Sequence, residues 1–246
     1  MPGIKSKLES FFGIEIKVLI AVIAIIVGTV GFIIIAGLVS RGSSDQFDLQ
    51  ILRSFRVPGK IARPIGPVWM FEVMRDVTSL GGPTVVFLII IFVIGYFILQ
   101  KQYSMLFLVL VAVIGGAVMD LELKEFFGRI RPQIIPTLMQ EKSFAFPSGH
   151  SMMSAIVYLS LASLIARLQV RWRDKIYIII VAVFLSFIIG ISRIYLGVHY
   201  PTDVLGGWSL GLAWAALCWF AAWYISQKRS GGIISKSGND LPGNGR

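Results

Sequence analysis

The chain has 246 residues, of which 56% are hydrophobic and only 15% charged, and its mean hydropathy is +0.79. A soluble domain would carry about a quarter charged residues, so composition excludes one and indicates an integral membrane protein. The formal net charge of +10 suits topology signals, anionic headgroups or an anionic substrate. No basic run with interleaved aromatics occurs, so nucleic acid is excluded as a partner. The lone Cys218 cannot form an intramolecular disulfide and reads as a small core residue.

In chain order, residues 1–17 form a charged N-terminal segment without the short apolar core and small-residue cleavage site of a removable signal. A bilayer core needs about 20 apolar residues in a helix. Six charge-free stretches approach that length: Val18–Ser40, Val77–Gln100, Gln102–Met119, Ser143–Ala166, Ile176–Ser192 and Val204–Gln227. The third and fifth are short, which predicts upright helices or polar ends. Between the first two lies a mixed segment in which "FDLQILRSF" has helical apolar spacing and could lie along the membrane interface. The basic, Gly- and Ser-rich residues 228–246 predict a flexible tail. The expected architecture is an all-α, six-helix transmembrane bundle over 18–227, with a polar site at one membrane face.

Six spans put both termini on one side. Cations at the termini, at Lys101 and along 167–175 place that side in the cytoplasm by the positive-inside rule. The loops 41–76, 120–147 and 193–203 then face outward, from a multi-pass protein of the cell membrane.

Polar chemistry gathers in those loops. In "KEFFGRIRPQ", Lys124 and Arg131 are seven apart, about two helical turns, and are expected to share a helical face that Pro132 ends. They read as a clamp for an oxyanion, or as an interfacial cluster meeting lipid phosphates. Arg129 is expected to be the bland member, binding headgroups. In "FAFPSGHSMM", Pro147 and Gly149 mark a turn into an apolar helix, so Ser148, Gly149 and His150 occupy its first turn. Free N–H groups there favour an anion; Ser148 as a plain N-cap is the simpler alternative. In "ISRIYLGVHYPTD", Arg193 follows an apolar run, and His199 and Asp203 are four apart across Pro201. A carboxylate one turn away can hold a histidine's Nδ1–H and leave Nε2 as base or nucleophile. The bland alternative is an Asp that complements the helix dipole.

Together the three segments resemble the signature of the type 2 phosphatidic acid phosphatase superfamily, which includes bacterial lipid phosphatases, glucose-6-phosphatase and vanadium haloperoxidases. The matching residues are Lys124 with Arg131–Pro132, Pro147–Ser148–Gly149–His150, and Ser192–Arg193 with His199 and Asp203. They cover about a third of the chain. The resemblance implies that His199 attacks phosphorus to form a phosphohistidine and that Asp203 orients it. It implies that His150 protonates the leaving group and then activates water, while Lys124, Arg131, Arg193, Ser148 and the Gly149 N–H bind the phosphoryl oxygens. Three cations match a phosphate charge of about −1.5 to −2. Asp203 is the only carboxylate read into the site, so no metal and no other cofactor is expected. The expected partners are a lipid substrate in the bilayer (phosphatidic acid, phosphatidylglycerol phosphate or a polyprenyl diphosphate); oligomeric state is left open. Three other readings carry less of the pattern. A phosphotransferase would use the same residues with another acceptor. A serine hydrolase at Ser148 leaves three cations without a role. An anion transporter leaves the His199–Asp203 spacing unexplained.

Overall fold

A computed structural model describes residues 2–133 and 143–237. Its helices are α1 (Pro2–Ser40), α2 (Asp45–Ser54), α3 (Val68–Ser79), α4 (Pro83–Leu99), α5 (Tyr103–Phe127), α6 (Gly149–Leu168), α7 (Trp172–Tyr195) and α8 (Pro201–Ser237). A two-stranded antiparallel hairpin, β1 (Arg56–Val57) and β2 (Lys60–Pro64), follows α2. The expected all-α membrane bundle is what forms. Five helices are long and apolar enough to cross a membrane, and α3 with α4, bent by 42°, makes a sixth span.

Four span boundaries differ from expectation, each for a local reason. The second span breaks at Leu80–Gly81–Gly82: two glycines weaken the helix, and Pro83 at the first turn of α4 has no N–H to continue the ladder. The third and fifth spans are not short. α5 runs on past Asp120, Glu122 and Lys124 to Phe127, and α7 starts at Trp172, because a charge ends an apolar window without ending a helix. The fourth span starts at Gly149 rather than Ser143, since Pro147 holds the preceding residues in a non-helical path. α1 is helical through most of the N-terminal segment, and α8 covers 228–237 of the expected tail; residues 238–246 lie outside the described residues.

The bundle packs mainly through α1 against α8 and α6 against α7 and α8. Without a hydrophobic drive between helices in lipid, close backbone approach supplies the packing. A Cβ on Gly28 of α1 would lie 2.6 Å from the Ser209 carbonyl of α8. Ala112, Met152 and Ile156 are buried where α5 and α6 meet, with Trp214 of α8 against them. The outward faces carry exposed apolar side chains such as Ile34, Phe92 and Phe184, which hydrocarbon solvates and water would not.

The amphipathic stretch "FDLQILRSF" is indeed helical, as α2. Its inner face packs on protein rather than lying free on the membrane surface. Leu52 is 2% exposed against Ile194 and Val204, and Asp48 is fully buried. The hairpin is tied to the end of α7: Arg56 Nη1 donates to the Tyr195 carbonyl at 2.8 Å, and the Tyr195 hydroxyl donates to the Ile65 carbonyl at 2.7 Å. These ties bring the 41–67 segment to the bundle end where α5 stops and α6 and α8 begin.

Candidate active site

His199 stands in the short turn between α7 and α8. Gly197, at φ +73°, reverses the chain in the left-handed region where a side chain would strain the backbone. His199 is 1% exposed. Its Nδ1 lies 3.4 Å from Asp203 Oδ2, which also accepts the Tyr200 N–H at 2.8 Å. Its Nε2 lies 3.0 Å from Arg131 Nη1. A guanidinium only donates, so Nε2 accepts through its lone pair and the proton sits on Nδ1, facing Asp203. Burial, and then the charges of Arg131, Arg193, Lys124 and His150, hold the imidazole well below its ordinary pKa of 6.5. The expected His199–Asp203 pair therefore forms, and the four other groups stand near enough to bias it.

Lys124 and Arg131 do not share a helical face. Gly128, left-handed at φ +54°, ends α5 by donating its N–H to the Lys124 carbonyl. Arg131 then lies in the following loop. It donates from Nε to the Ser143 carbonyl at 2.8 Å and from Nη1 to the Val198 carbonyl at 3.0 Å. Lys124, on the last turn of α5, is ion-paired with Asp120. A second carboxylate thus stands beside the site, where the sequence places Asp203 alone. The spacing of four that marks this pair is legible in "DLELK" and is the signal that was available.

Ser148 is the residue before α6 and Gly149 its first, as expected, but the Ser148 side chain makes no capping hydrogen bond. Its Oγ instead accepts from Ser151 Oγ at 3.0 Å. The plain N-cap alternative does not describe this hydroxyl. A Cβ on Gly149 would lie 2.7 Å from both Lys124 Nζ and Asp120 Oδ2, so glycine is what lets the α6 N-terminus meet the lysine. His150 packs against the break in the second span: a Cβ on Gly82 would lie 3.6 Å from its Nε2. Arg193, 1% exposed, donates from Nη1 to Thr78 Oγ1 of α3 at 3.2 Å. The broken span therefore backs two of the expected site residues.

Arg129 is not a headgroup ligand. Its side chain is 11% exposed and bridges Asp203 and Asp48, with Tyr200 stacked 4.3 Å from the guanidinium. Burial opposes its charge, but Asp203 and Asp48 outweigh that and raise its pKa above the ordinary value. Nothing local in the sequence marks Asp48, because its partners lie 81 and 154 positions away.

An apolar six-span bundle with two histidines, three cations and a helix N-terminus gathered at one end is the architecture of an integral membrane phosphatase. The chain belongs to the PAP2 superfamily, whose family model matches residues 102–227. Phosphatidylglycerophosphatase B of Bacillus subtilis is 39% identical over 184 residues, 74% of this chain and 86% of that protein. The undecaprenyl-diphosphatase of Sulfolobus acidocaldarius is 34% identical over 93 residues, 36% of this chain and 41% of that protein. Among solved structures, the crystal structure of a transmembrane PAP2 type phosphatidylglycerolphosphate phosphatase from Bacillus subtilis superposes with a TM-score of 0.71. It is 32% identical, with 83% of this chain and 96% of that chain covered.

Proposed function

We propose that this phosphatase hydrolyses the phosphate ester of a membrane lipid, with phosphatidylglycerol phosphate as its first candidate substrate and a polyprenyl diphosphate as the second. The observation that carries the reading is the His199 Nε2 lone pair, which faces Arg131 while Nδ1–H faces Asp203. In the first step Nε2 forms a bond to phosphorus as the bond from phosphorus to the leaving oxygen breaks. His150 gives that oxygen its proton. In the second step water attacks phosphorus, the N–P electron pair returns to Nε2, and His150 takes the water's proton. Lys124, Arg131 and Arg193 hold the phosphoryl oxygens, with the Ser148 hydroxyl and the Gly149 N–H beside them. Binding requires Arg131 to transfer its donor from Nε2 to a phosphoryl oxygen, which uncovers the nucleophile as substrate arrives.

The substrate class follows from placement. The site lies at the ends of α5, α6, α7 and α8, so acyl or prenyl chains can stay in hydrocarbon while the headgroup enters. The names borne by the relatives support a phospholipid monoester first. The test is phosphate release by purified protein in detergent with EDTA, beside His199→Ala, on phosphatidylglycerol phosphate, phosphatidic acid and a polyprenyl diphosphate. Release by the wild type and a fall of roughly a thousandfold or more in the variant are expected. Release that survives the substitution removes His199 as nucleophile, and release lost to EDTA overturns metal-free catalysis.

A further inference from the structure

The catalytic pair does not end at Asp203. Behind it stands a set of charged groups drawn from α2, the loop after α5 and α8, with the exposed Asp45 at its edge, 3.4 Å from Arg129 Nη2. Arg129 Nη1 donates to Asp203 Oδ1 at 2.7 Å and to Thr202 Oγ1 at 2.8 Å, and its Nη2 donates to Asp48 Oδ2 at 2.8 Å. Asp48 in turn accepts the Thr202 N–H at 3.0 Å and the Thr202 hydroxyl at 2.6 Å. Asp48 and Asp203 are both 0% exposed. Two buried carboxylates around one guanidinium are tolerated only if the geometry is good and the remaining lone pairs are satisfied. Here they are satisfied by the first turn of α8 itself. Asp48 caps that turn from a different helix, taking an N–H that would otherwise lack a partner.

We propose that Asp48 and Arg129 are positioning residues for the phosphoryl-transfer step, holding Asp203 and the first turn of α8 so that His199 presents Nε2. The proposal rests on the phosphatase reading above. Each carboxylate oxygen of Asp203 has a fixed donor: Oδ1 faces Arg129, and Oδ2 faces the Tyr200 N–H and the His199 ring. The Tyr200 ring against the guanidinium fixes its plane. Rotation of Asp203 therefore breaks bonds on both sides, and the imidazole loses its Nδ1 acceptor. Asp48 lies outside the matched family segment 102–227, so a helix beyond that segment supports the catalytic pair. Arg129 is spent on carboxylates, whereas Arg131, two residues on, faces His199; the two arginines of one short loop thus divide binding from positioning.

The test uses full-length protein in detergent: wild type, His199→Ala, Asp48→Asn, Arg129→Lys, Arg129→Met and the Asp48→Asn/Arg129→Met double variant. The readouts are kcat, KM, competitive inhibition by inorganic phosphate, and thermal unfolding. Outer partners that orient a metal-ligating histidine are worth about 10- to 100-fold, and the same scale is expected for partners that orient this nucleophile. The expected result is kcat down about tenfold in Asp48→Asn and about a hundredfold in Arg129→Met, with Arg129→Lys between. KM and phosphate inhibition stay within about twofold, and the double variant is no slower than Arg129→Met by more than about twofold. Wild-type kcat in Asp48→Asn and Arg129→Lys overturns the proposal. So does loss of phosphate inhibition in step with kcat, which would put Arg129 in the phosphate cradle. If Asp48→Asn is not recovered folded, the Arg129→Lys and Arg129→Met pair decides by the same split. A wild type that releases no phosphate from any lipid sinks the functional reading instead, a distinct outcome.

Discussion

At His199, burial and four nearby positive or protonatable groups act in the same direction. The imidazole is 1% exposed, and both burial and the cations disfavour its charged form. The chain has only two histidines, so a His150→Gln variant leaves one imidazole to follow by NMR. Its ring is expected to remain neutral as pH falls through 6.5, although the variant loses the smallest of the contributions. Titration at or above 6.5 would contradict the buried, cation-flanked geometry. The sign carries over to stability: the folded pKa lies below the unfolded one, so this contribution is present above pH 6.5 and is lost as pH falls through that value towards the folded pKa.

Asp120 bears on the charge of the proposed phosphate cradle through its pair with Lys124. With Asp203 paired to Arg129, the three cations Lys124, Arg131 and Arg193 together with Asp120 sum to two net positive charges, close to the charge of a bound phosphate monoester. Asp120→Asn removes the counter-charge of Lys124. The expected outcome is tighter competitive inhibition by inorganic phosphate, by about three- to tenfold for loss of one partly screened neighbouring charge. Slower turnover at high substrate accompanies it if product release becomes limiting. Unchanged inhibition would mean that the Asp120 charge is not felt at the phosphate.

Among the elements, the broken second span bears on the proposed proton donor His150. Its glycine turn lies directly on His150: a Cβ on Gly81 would stand 2.6 Å from Ile189 Cγ2 and 3.2 Å from the His150 carbonyl. A side chain at Gly81 would therefore press on both α7 and the first turn of α6. Gly81→Ala is expected to lower kcat by about tenfold, as displacements of this kind cost when reacting groups must be aligned, while the protein still elutes as a folded species. Full activity would show that the turn yields without moving His150. This break also marks the limit of what was legible. Apolar windows located all six spans because hydrocarbon selects for length and composition. They began the second span at Val77 and missed most of α3, because Glu72, Arg75 and Asp76 interrupt its apolar window, and they read through the α3–α4 break because Leu80, Gly81 and Gly82 are uncharged. The signature positions were legible because their spacing within each segment is local. Asp48 and Arg129 were not, since a buried ion network across 81 positions leaves no periodicity to read. Arg129 looked like a surface charge because its neighbours in sequence are not its neighbours in space.

At the scale of the whole molecule, orientation turns on where the cations sit relative to short and long connections. Counted along the chain, the two sides nearly tie. On the site side Lys124 and Arg129 are ion-paired and Arg56 and Arg193 are buried, but Arg41, Arg53, Lys60, Arg63 and Arg75 of the long 41–76 loop are exposed. On the other side Lys101, Arg171 and Arg173 are exposed, near span ends where the positive-inside bias acts. The positive-inside bias is therefore carried by the short connections at Lys101 and 167–175 rather than by the count, and we propose on that ground that the site faces away from the cytoplasm. In a Cys218→Ser background, Ser43→Cys in the turn after α1 and Gln102→Cys in the turn before α5 both occupy exposed positions. An impermeant maleimide applied to intact cells is expected to label position 43 at once and position 102 only after lysis. The reverse pattern would put the site in the cytoplasm, and the lipid substrate would then have to be drawn from the inner leaflet.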